Sequence, residues 1–173
     1  MPMISDDLLE PAAALLDACR AKGLMLATAE SCTGGMIVAA LTEIAGSSAV
    51  VERGFVTYSN AAKQTMLGVP VEILQAHGAV SAETAAAMAR GAIAHSQADI
   101  AVSVTGIAGP GGGSDEKPVG LVHFGAAARD GRLIAREARF GDIGRGEVRR
   151  RSVAIALEML MQLAEDSPAK AGA

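Results

Sequence analysis

One stretch of the sequence combines a candidate nucleophile with a turn that could stabilise negative charge. Ser31 lies in Ala29-Glu30-Ser31-Cys32-Thr33-Gly34-Gly35, between an apolar run over 24–28 and a helical pattern over 36–44. A strand-to-helix turn leaves the first N–H groups of the helix unpaired and positively polarised, which suits a nucleophile and a developing oxyanion. The simpler interpretation is that Ser31 or Thr33 caps the helix.

A serine nucleophile needs a base, and Lys63 is the best candidate. It follows the sole tyrosine, Tyr58, by five residues, so the phenol could bridge proton transfer between Ser31 and the amine. A free lysine titrates near 10.4, so a base at neutral pH needs a pKa lowered by roughly 3 units through burial or neighbouring cations. Two alternatives stay open: Lys63 is an ordinary solvated lysine, or it pairs with Ser59, which also suits a helix cap.

A glycine-rich loop over 106–114 follows a predicted strand that ends near Thr105. Backbone amides in such a loop can approach an anionic ligand closely. The loop lacks the Gly-Lys-Ser or Gly-Lys-Thr of a Walker motif, and Ser114 replaces the last glycine of the dinucleotide-binding motif. A flexible surface loop is the alternative. Arg145, flanked by glycines on both sides, could bring a guanidinium to a phosphate.

Hydrophobic periodicity predicts the elements that position these residues. The predicted helices cover Leu8 to about Gly23, 34–45, a short segment after Ser59, 81–95 and 145–166. The predicted strands cover 24–30, 50–58, 99–105, 119–128 and 133–140. Asp130-Gly131 between the last two strands indicates an antiparallel hairpin.

This order of elements predicts an α/β fold. We expect a single three-layer α/β/α domain over 1–173, with a mixed, mostly parallel sheet, a C-terminal β-hairpin plus helix, and a frayed tail after about residue 166. Ser31, Tyr58 and Thr105 then each end a strand. If those strands are parallel, the three side chains converge at one edge of the sheet.

Composition narrows the class of protein. The chain has 173 residues, half of them apolar, and a formal net charge of −4, which argues against nucleic-acid binding. Its first ten residues lack the basic start of a secretory signal, and no apolar run approaches the roughly 20 residues of a membrane span. We therefore expect a cytoplasmic protein that contacts no membrane. Two cysteines and three dispersed histidines have no metal-ligand spacing, and Cys32 is expected to be a core thiol.

Four ordered motifs resemble the C-terminal domain of CinA proteins, and the resemblance runs from about Leu8 to Leu163. The motifs are Thr28-Ala-Glu-Ser-Cys-Thr-Gly-Gly35, Tyr58-Ser-Asn60 with Lys63, Val80-Ser-x-Glu-Thr-Ala85, and Thr105-Gly-Ile-Ala-Gly-Pro-Gly-Gly112. The resemblance implies a free-standing nicotinamide-nucleotide amidase. Such an enzyme hydrolyses nicotinamide mononucleotide to nicotinate mononucleotide and ammonia in pyridine-nucleotide salvage, without a metal or other cofactor.

The resemblance also implies roles for individual residues. Ser31 would be the nucleophile, Lys63 the general base and Tyr58 a helper in proton transfer. The implied substrate-binding residues are Thr33, Gly34, Asn60, Thr105, Gly106, Gly109, Gly111 and Arg145, with turn amides near Thr33 and Gly34 at the oxyanion and Arg145 at the phosphate. A homo-oligomer, with a dimer as the expectation, is implied as well.

Two other functions stay open. In the first, the chain is a non-catalytic mononucleotide-binding or regulatory protein in which Ser31 only caps a helix. In the second, it is an amidase or esterase that acts on a phosphate-free acyl substrate.

Overall fold

The structure is a computed structural model that describes residues 4–173, and its strands form one five-stranded sheet in the order β2-β1-β3-β4-β5. The strands are β1 Leu26–Glu30, β2 Val51–Val56, β3 Ile100–Gly106, β4 Leu121–Ala128 and β5 Leu133–Arg139. β1 pairs in parallel with β2 and β3, whereas β4 runs antiparallel to both β3 and β5. Four of the five strands therefore point in one direction, and the predicted mixed sheet and hairpin are confirmed.

Helices cover both faces of the sheet, which confirms the predicted three layers. They are α1 Asp6–Lys22, α2 Met36–Thr42, α3 Asn60–Leu67, α4 Val71–His77, α5 Ala82–Ala94 and α6 Arg145–Asp166. α1, α2 and α6 share one hydrophobic core with the sheet, and α3, α4 and α5 share a second core on the opposite face. Among residues 4–173, no helix combines the length and hydrophobicity that crossing a bilayer requires.

Two short elements differ from the sequence prediction. A 3₁₀ turn, Ser47–Ala49, precedes β2, and α4 fills the segment between Pro70 and Gly78 that was left without an element. At seven residues, α4 is too short to display helical periodicity clearly. The predicted helix 34–45 begins later than expected because Gly34 and Gly35 have positive φ values of 59° and 101°, outside the helical region.

Alternation along β3 separates the two cores. Ile100, Val102 and Val104 belong to the core beneath α1 and α6, whereas Ala101 belongs to the core beneath α5. The hydroxyl of Ser103 donates to the backbone of α5. Small side chains on this face allow the alanine-rich α5 to lie close to the sheet.

The parallel pairing that was assumed from sequence is correct, and it fixes the start of the loops that follow the strands. The N–H of Ser31 donates to the carbonyl of Val104 at 2.9 Å, and the N–H of Thr57 donates to the carbonyl of Glu30 at 2.8 Å. These bonds extend the ladders by one residue beyond β1 and β2. Ser31 is therefore held by the sheet itself.

The C-terminal tail differs from the frayed segment that was predicted. The N–H of Lys170 donates to the carbonyl of Lys22 at 2.9 Å, and the ammonium of Lys170 pairs with Asp99 at 2.7 Å. The ammonium of Lys22 donates to three carbonyls around the end of α6. The tail is thus tied to α1, because the last carbonyls of α6 find a cation there.

Helix α3 carries Lys63, and a close backbone approach fixes its position. A Cβ added at Gly91 in α5 would lie 2.0 Å from the carbonyl oxygen of Leu67 at the end of α3. Only a glycine leaves room for this contact.

We expect Gly91→Ala to lower the free energy of unfolding by about 1–3 kcal/mol, the usual cost of overpacking, because α3 must move away from α5. Urea unfolding followed by circular dichroism measures this change. Gly146→Ala is the matched control, because its added Cβ meets nothing within 4 Å and alanine favours a helix over glycine. Equal stability of wild type and Gly91→Ala would contradict the proposed constraint.

Candidate active site

A cavity of about 210 Å³ opens at the carboxyl ends of β1, β2 and β3, where ligands bind in open α/β sheets. Most of the predicted site residues line it: Ser31, Tyr58, Asn60, Lys63, Thr105, Gly106 and Arg145. Cys32, Ala79, Val80 and Ala108 complete the wall. The predicted convergence of the first three strand ends is therefore present in the structure.

Lys63 and Ser31 are in direct contact at the base of this cavity. The Nζ atom of Lys63 lies 3.0 Å from the Oγ atom of Ser31 and donates to the carbonyl of Thr57, also at 3.0 Å. Lys63 is 1% exposed and Ser31 is 8% exposed. The alternative of a solvated lysine is wrong, because the side chain points inward from α3.

The environment of Lys63 favours a neutral amine. Burial lowers the pKa of Lys63 below its ordinary value of 10.5, an effect that the nearby Cys32 partly opposes. Within residues 4–173, none of the salt bridges includes Lys63. A buried amine without a carboxylate partner loses its proton more readily, because nothing compensates the charged form for lost hydration. The geometry thus places a potential base against a potential nucleophile.

Ser59 has a different partner from the one that a Ser59–Lys63 pair would require. Its hydroxyl accepts from the N–H of Ala62 at 3.0 Å, so it caps α3. The prediction that Ser59 is a cap is confirmed.

Tyr58 lies at the mouth of the cavity, 63% exposed. Its hydroxyl accepts from Nη2 of Arg145 at 2.9 Å, while Nη1 of Arg145 donates to the carbonyl of Gly109, also at 2.9 Å. Within residues 4–173, the phenol bonds to neither Ser31 nor Lys63. The direct contact between those two groups leaves no gap for a bridge, so in this arrangement Tyr58 orients Arg145.

The loop after β3 differs in part from its predicted role. The hydroxyl of Thr105 donates to the carbonyl of Ala79 at 2.7 Å, which ties β3 to the segment before α5. Gly109 presents its carbonyl to Arg145 and does not line the cavity. Gly111 is exposed and lies outside the cavity wall, so the expectation that it contacts substrate is not met in this geometry.

A buried carboxylate that the sequence analysis missed holds the start of α2. Glu30 is 0% exposed, and its two oxygens accept from the N–H groups of Ile37 and Val38 at 2.9 and 3.1 Å. An acidic residue at the end of an otherwise apolar strand, directly before a helix, is the signal that could have identified it. These amides are therefore satisfied inside the protein.

The nucleophile turn, residues 31–35, is also held from α6 by Arg149, which was not among the predicted site residues. Nε of Arg149 donates to the carbonyl of Cys32 and Nη2 donates to the carbonyl of Thr33, both at 3.1 Å. Gly34 makes room for the guanidinium, since an added Cβ would lie 3.4 Å from Nη2. The partners are 116 and 117 residues distant in sequence, so no local pattern predicts this contact.

The amides of the turn are not equally available, which corrects one prediction. The N–H of Gly34 donates to the carbonyl of Ser31 at 3.0 Å, so the expectation that Gly34 binds an oxyanion is wrong for this geometry. Thr33 is fully buried and is not among the residues that line the cavity. Among residues 4–173, the backbone N–H of Thr33 donates to no acceptor.

Cys32 is a thiol rather than a competing nucleophile. Burial raises its pKa to about 11, although its own backbone N–H and the Arg149 guanidinium partly oppose the shift. A thiol with that pKa carries almost no thiolate at neutral pH. In the described part of the chain, no three histidine, cysteine, aspartate or glutamate side chains are grouped to hold a metal ion.

Comparison with known proteins gives consistent matches over most of the chain. The family model of the CinA C-terminal domain matches residues 9–164. The chain is 50% identical over 161 residues to the nicotinamide-nucleotide amidohydrolase PncC of Escherichia coli K12, covering 92% of this chain and 96% of that protein. It is 56% identical over 123 residues to the PncC of Enterobacter agglomerans, covering 71% and 75% of the two chains.

A solved structure with the same fold is the competence/damage inducible protein CihA from Agrobacterium tumefaciens. It superimposes with a TM-score of 0.92 and 58% sequence identity, covering 94% of this chain and 99% of that chain. The protein therefore belongs to the CinA C-terminal domain family.

Proposed function

We propose that this protein is a nicotinamide-nucleotide amidohydrolase that converts nicotinamide mononucleotide to nicotinate mononucleotide and ammonia. The observation that carries the proposal is the 3.0 Å contact between the buried Lys63 Nζ and Ser31 Oγ. It occurs in a chain that is 50% identical to a protein named for this activity over nearly the full length of both. Binding of a nucleotide without catalysis would not require a buried amine that contacts a serine hydroxyl and has no carboxylate partner.

The first half of the reaction forms an ester on Ser31. Ser31 Oγ attacks the carboxamide carbon while its proton passes to the neutral Nζ of Lys63, and the carbonyl oxygen becomes an oxyanion. Free amides in the turn after Ser31 stabilise this charge, and a well-placed donor of this kind contributes about 3 kcal/mol. The C–N bond then breaks, and Lys63 returns the proton to the leaving nitrogen, which departs as ammonia.

The second half removes the acyl group. A water molecule gives a proton to Lys63 and attacks the ester carbon, the bond to Ser31 Oγ breaks, and Lys63 reprotonates the serine oxygen. Nicotinate mononucleotide and the starting enzyme result, so one water is consumed for each ammonia released. Thr57 assists by accepting one hydrogen of Nζ, which holds the amine beside the serine hydroxyl whose proton it takes.

Arg145 supplies the preference for a nucleotide. Arg145 lines the cavity, and its guanidinium donates to the hydroxyl of Tyr58 and the carbonyl of Gly109. A guanidinium binds phosphate through two parallel hydrogen bonds. The phosphate of the substrate would take the place of these neutral partners, while the ring carboxamide reaches Ser31.

We expect Lys63→Met to lower kcat by about 100- to 10,000-fold, the range for loss of a general base. Ser31→Ala should lose at least as much, because the nucleophile and its base act as a unit. The affinity for nicotinamide mononucleotide should stay within about twofold, since neither change removes the phosphate contact. Ammonia release and isothermal titration calorimetry measure the two quantities.

Ser59→Ala is the matched control for these variants. It should lose about 1 kcal/mol of stability through its helix cap and keep wild-type turnover. Binding of the nucleotide by wild type without any ammonia release would overturn the proposed function and favour the binding protein. Equal turnover of a phosphate-free amide would favour an amidase or esterase that acts on a phosphate-free acyl substrate.

Folding stability should depend on pH through Lys63. Burial lowers the pKa of Lys63 in the folded protein below 10.5, so between the folded and unfolded pKa values the unfolded chain binds the additional proton. Stability therefore rises with pH across that window, by at most about 1.4 kcal/mol per pH unit for one group. Urea midpoints measured from pH 6 to pH 10 should show this rise for wild type and a smaller rise for Lys63→Met. Identical slopes would contradict a lowered pKa of Lys63.

A further inference from the structure

Arg149 is the only residue of α6 within the described chain whose side chain donates to the nucleophile turn. It is half-buried, and its Nε and Nη2 atoms each donate to a carbonyl of that turn. The next two arginines on the helix, Arg150 and Arg151, instead pair with the carboxylate of Glu147. Arg149 has no carboxylate partner among the salt bridges of residues 4–173. Its charge is therefore directed at backbone oxygens.

These two contacts determine where the turn amides point. In a planar trans peptide the N–H points opposite to the preceding C=O. Since the carbonyls of Cys32 and Thr33 both face Arg149, the N–H groups of Thr33 and Gly34 must face the other way. The Gly34 amide is already bonded to the carbonyl of Ser31, whereas the Thr33 amide donates to no acceptor within residues 4–173. The contact with Cys32 thus fixes the direction of a free donor two residues after Ser31.

Arg149 adds to the bonds that hold this turn: the carbonyl of Thr33 also accepts from the N–H of Met36 at 3.1 Å, whereas within residues 4–173 the carbonyl of Cys32 accepts from Arg149 alone. Gly34 and Gly35 both have positive φ values, and glycine reaches either sign of φ at little cost. A flip of the peptide between Thr33 and Gly34 would break the bonds that its carbonyl accepts from Arg149 and Met36 and the bond that its N–H donates to Ser31. Two charge-assisted hydrogen bonds from one planar guanidinium hold neighbouring peptides in a single orientation better than a point charge could.

We propose that Arg149 is a positioning residue for catalysis, which holds the Cys32 and Thr33 peptides so that the Thr33 N–H is directed at the oxyanion formed on attack by Ser31. This inference rests on the serine chemistry of the proposed function, and not on the identity of its substrate. Arg149 itself contacts no reacting atom. It acts through the backbone of the turn.

The test is the rate at which Ser31 is acylated by p-nitrophenyl acetate, followed by the burst of p-nitrophenolate and by mass spectrometry of the Ser31 peptide. Loss of one oxyanion donor costs about 100- to 1,000-fold, and a misdirected donor should cost a part of that. We expect Arg149→Ala to be acylated about 10- to 100-fold more slowly than wild type, and Arg149→Lys to lie between them, since an ammonium cannot serve both carbonyls in a fork.

Two further readouts separate positioning from a general loss of structure. Guanidinium chloride at low millimolar concentration should restore part of the rate of Arg149→Ala but not change wild type. In the Ser31→Ala background, Arg149→Ala should leave the affinity for nicotinamide mononucleotide within about twofold, because the phosphate contact is elsewhere. Arg151→Ala is the matched control and should behave as wild type. Thermal unfolding verifies that each variant is folded, and Arg149→Lys replaces Arg149→Ala if the latter does not fold.

Failure of the positioning role and failure of the proposed function give different results, because acylation of Ser31 and turnover of the nucleotide are measured separately. Acylation of wild type at Ser31 without turnover of the nucleotide would overturn the proposed substrate while the slower acylation of Arg149→Ala still supports the positioning role. Acylation of folded Arg149→Ala within about twofold of wild type would overturn the positioning role. So would a wild-type protein in which Ser31 is not acylated, or an Arg149→Ala defect that appears only in substrate affinity.

Discussion

The burial of the Lys63 amine against the Ser31 hydroxyl is the constraint on which the rest of the site depends. A lysine beside a buried carboxylate would keep its proton, and it would then be unable to accept another from serine. Here Glu30, the buried carboxylate directly before Ser31 in the chain, accepts from two amides of α2. Within residues 4–173, the amine of Lys63 forms hydrogen bonds to the carbonyl of Thr57 and the hydroxyl of Ser31 and to no carboxylate. Burial without an anion therefore lowers the pKa of Lys63, as its proposed role as a base requires.

Three features of the fold produce this arrangement: the pairing of the parallel strands, the contact between α3 and α5, and two arginines of α6. Parallel pairing of β1 with β2 and β3 places Ser31 and Thr57 side by side, each held by a backbone bond to the neighbouring strand. Gly91 in α5 allows the end of α3, the helix that carries Lys63, to lie against α5. α6 then acts on the site from its first turn onward. Arg145 and Arg149 are four residues apart and thus share one face of the helix, with one directed to the cavity mouth and the other to the nucleophile turn.

Much of the fold, and the convergence of strand ends at the site, could be predicted from the sequence because these features follow from hydrophobic periodicity and strand topology. The bounds of the last helix were predicted correctly, and the hairpin followed from Asp130-Gly131. The proximity of Ser31 to the segment carrying Lys63 followed from one rule about the ends of parallel strands. The expected dimer stays a prediction.

The site residues that were not predicted, or that were predicted in another role, have partners that no local sequence pattern indicates. Arg149 binds backbone carbonyls more than a hundred residues away, and any residue type could supply those carbonyls. Glu30 and Tyr58 both lie in the motifs that the sequence singles out, but their partners could not be predicted. Glu30 binds two backbone amides of α2, and Tyr58 binds an arginine from the distant helix α6. Gly34 was assigned a free amide, whereas the turn closes on itself through that same group. Such tertiary contacts become visible only when the chain is folded.

The most direct test of the account is to trap the ester on Ser31 during turnover of nicotinamide mononucleotide. The wild-type protein would be quenched in acid within the first turnover, digested, and analysed by peptide mass spectrometry. We expect the peptide containing Ser31 to gain the mass of the nicotinoyl ribonucleotide while ammonia is released. Ammonia release with that peptide unmodified, at every quench time within the first turnover, would contradict a serine nucleophile activated by Lys63.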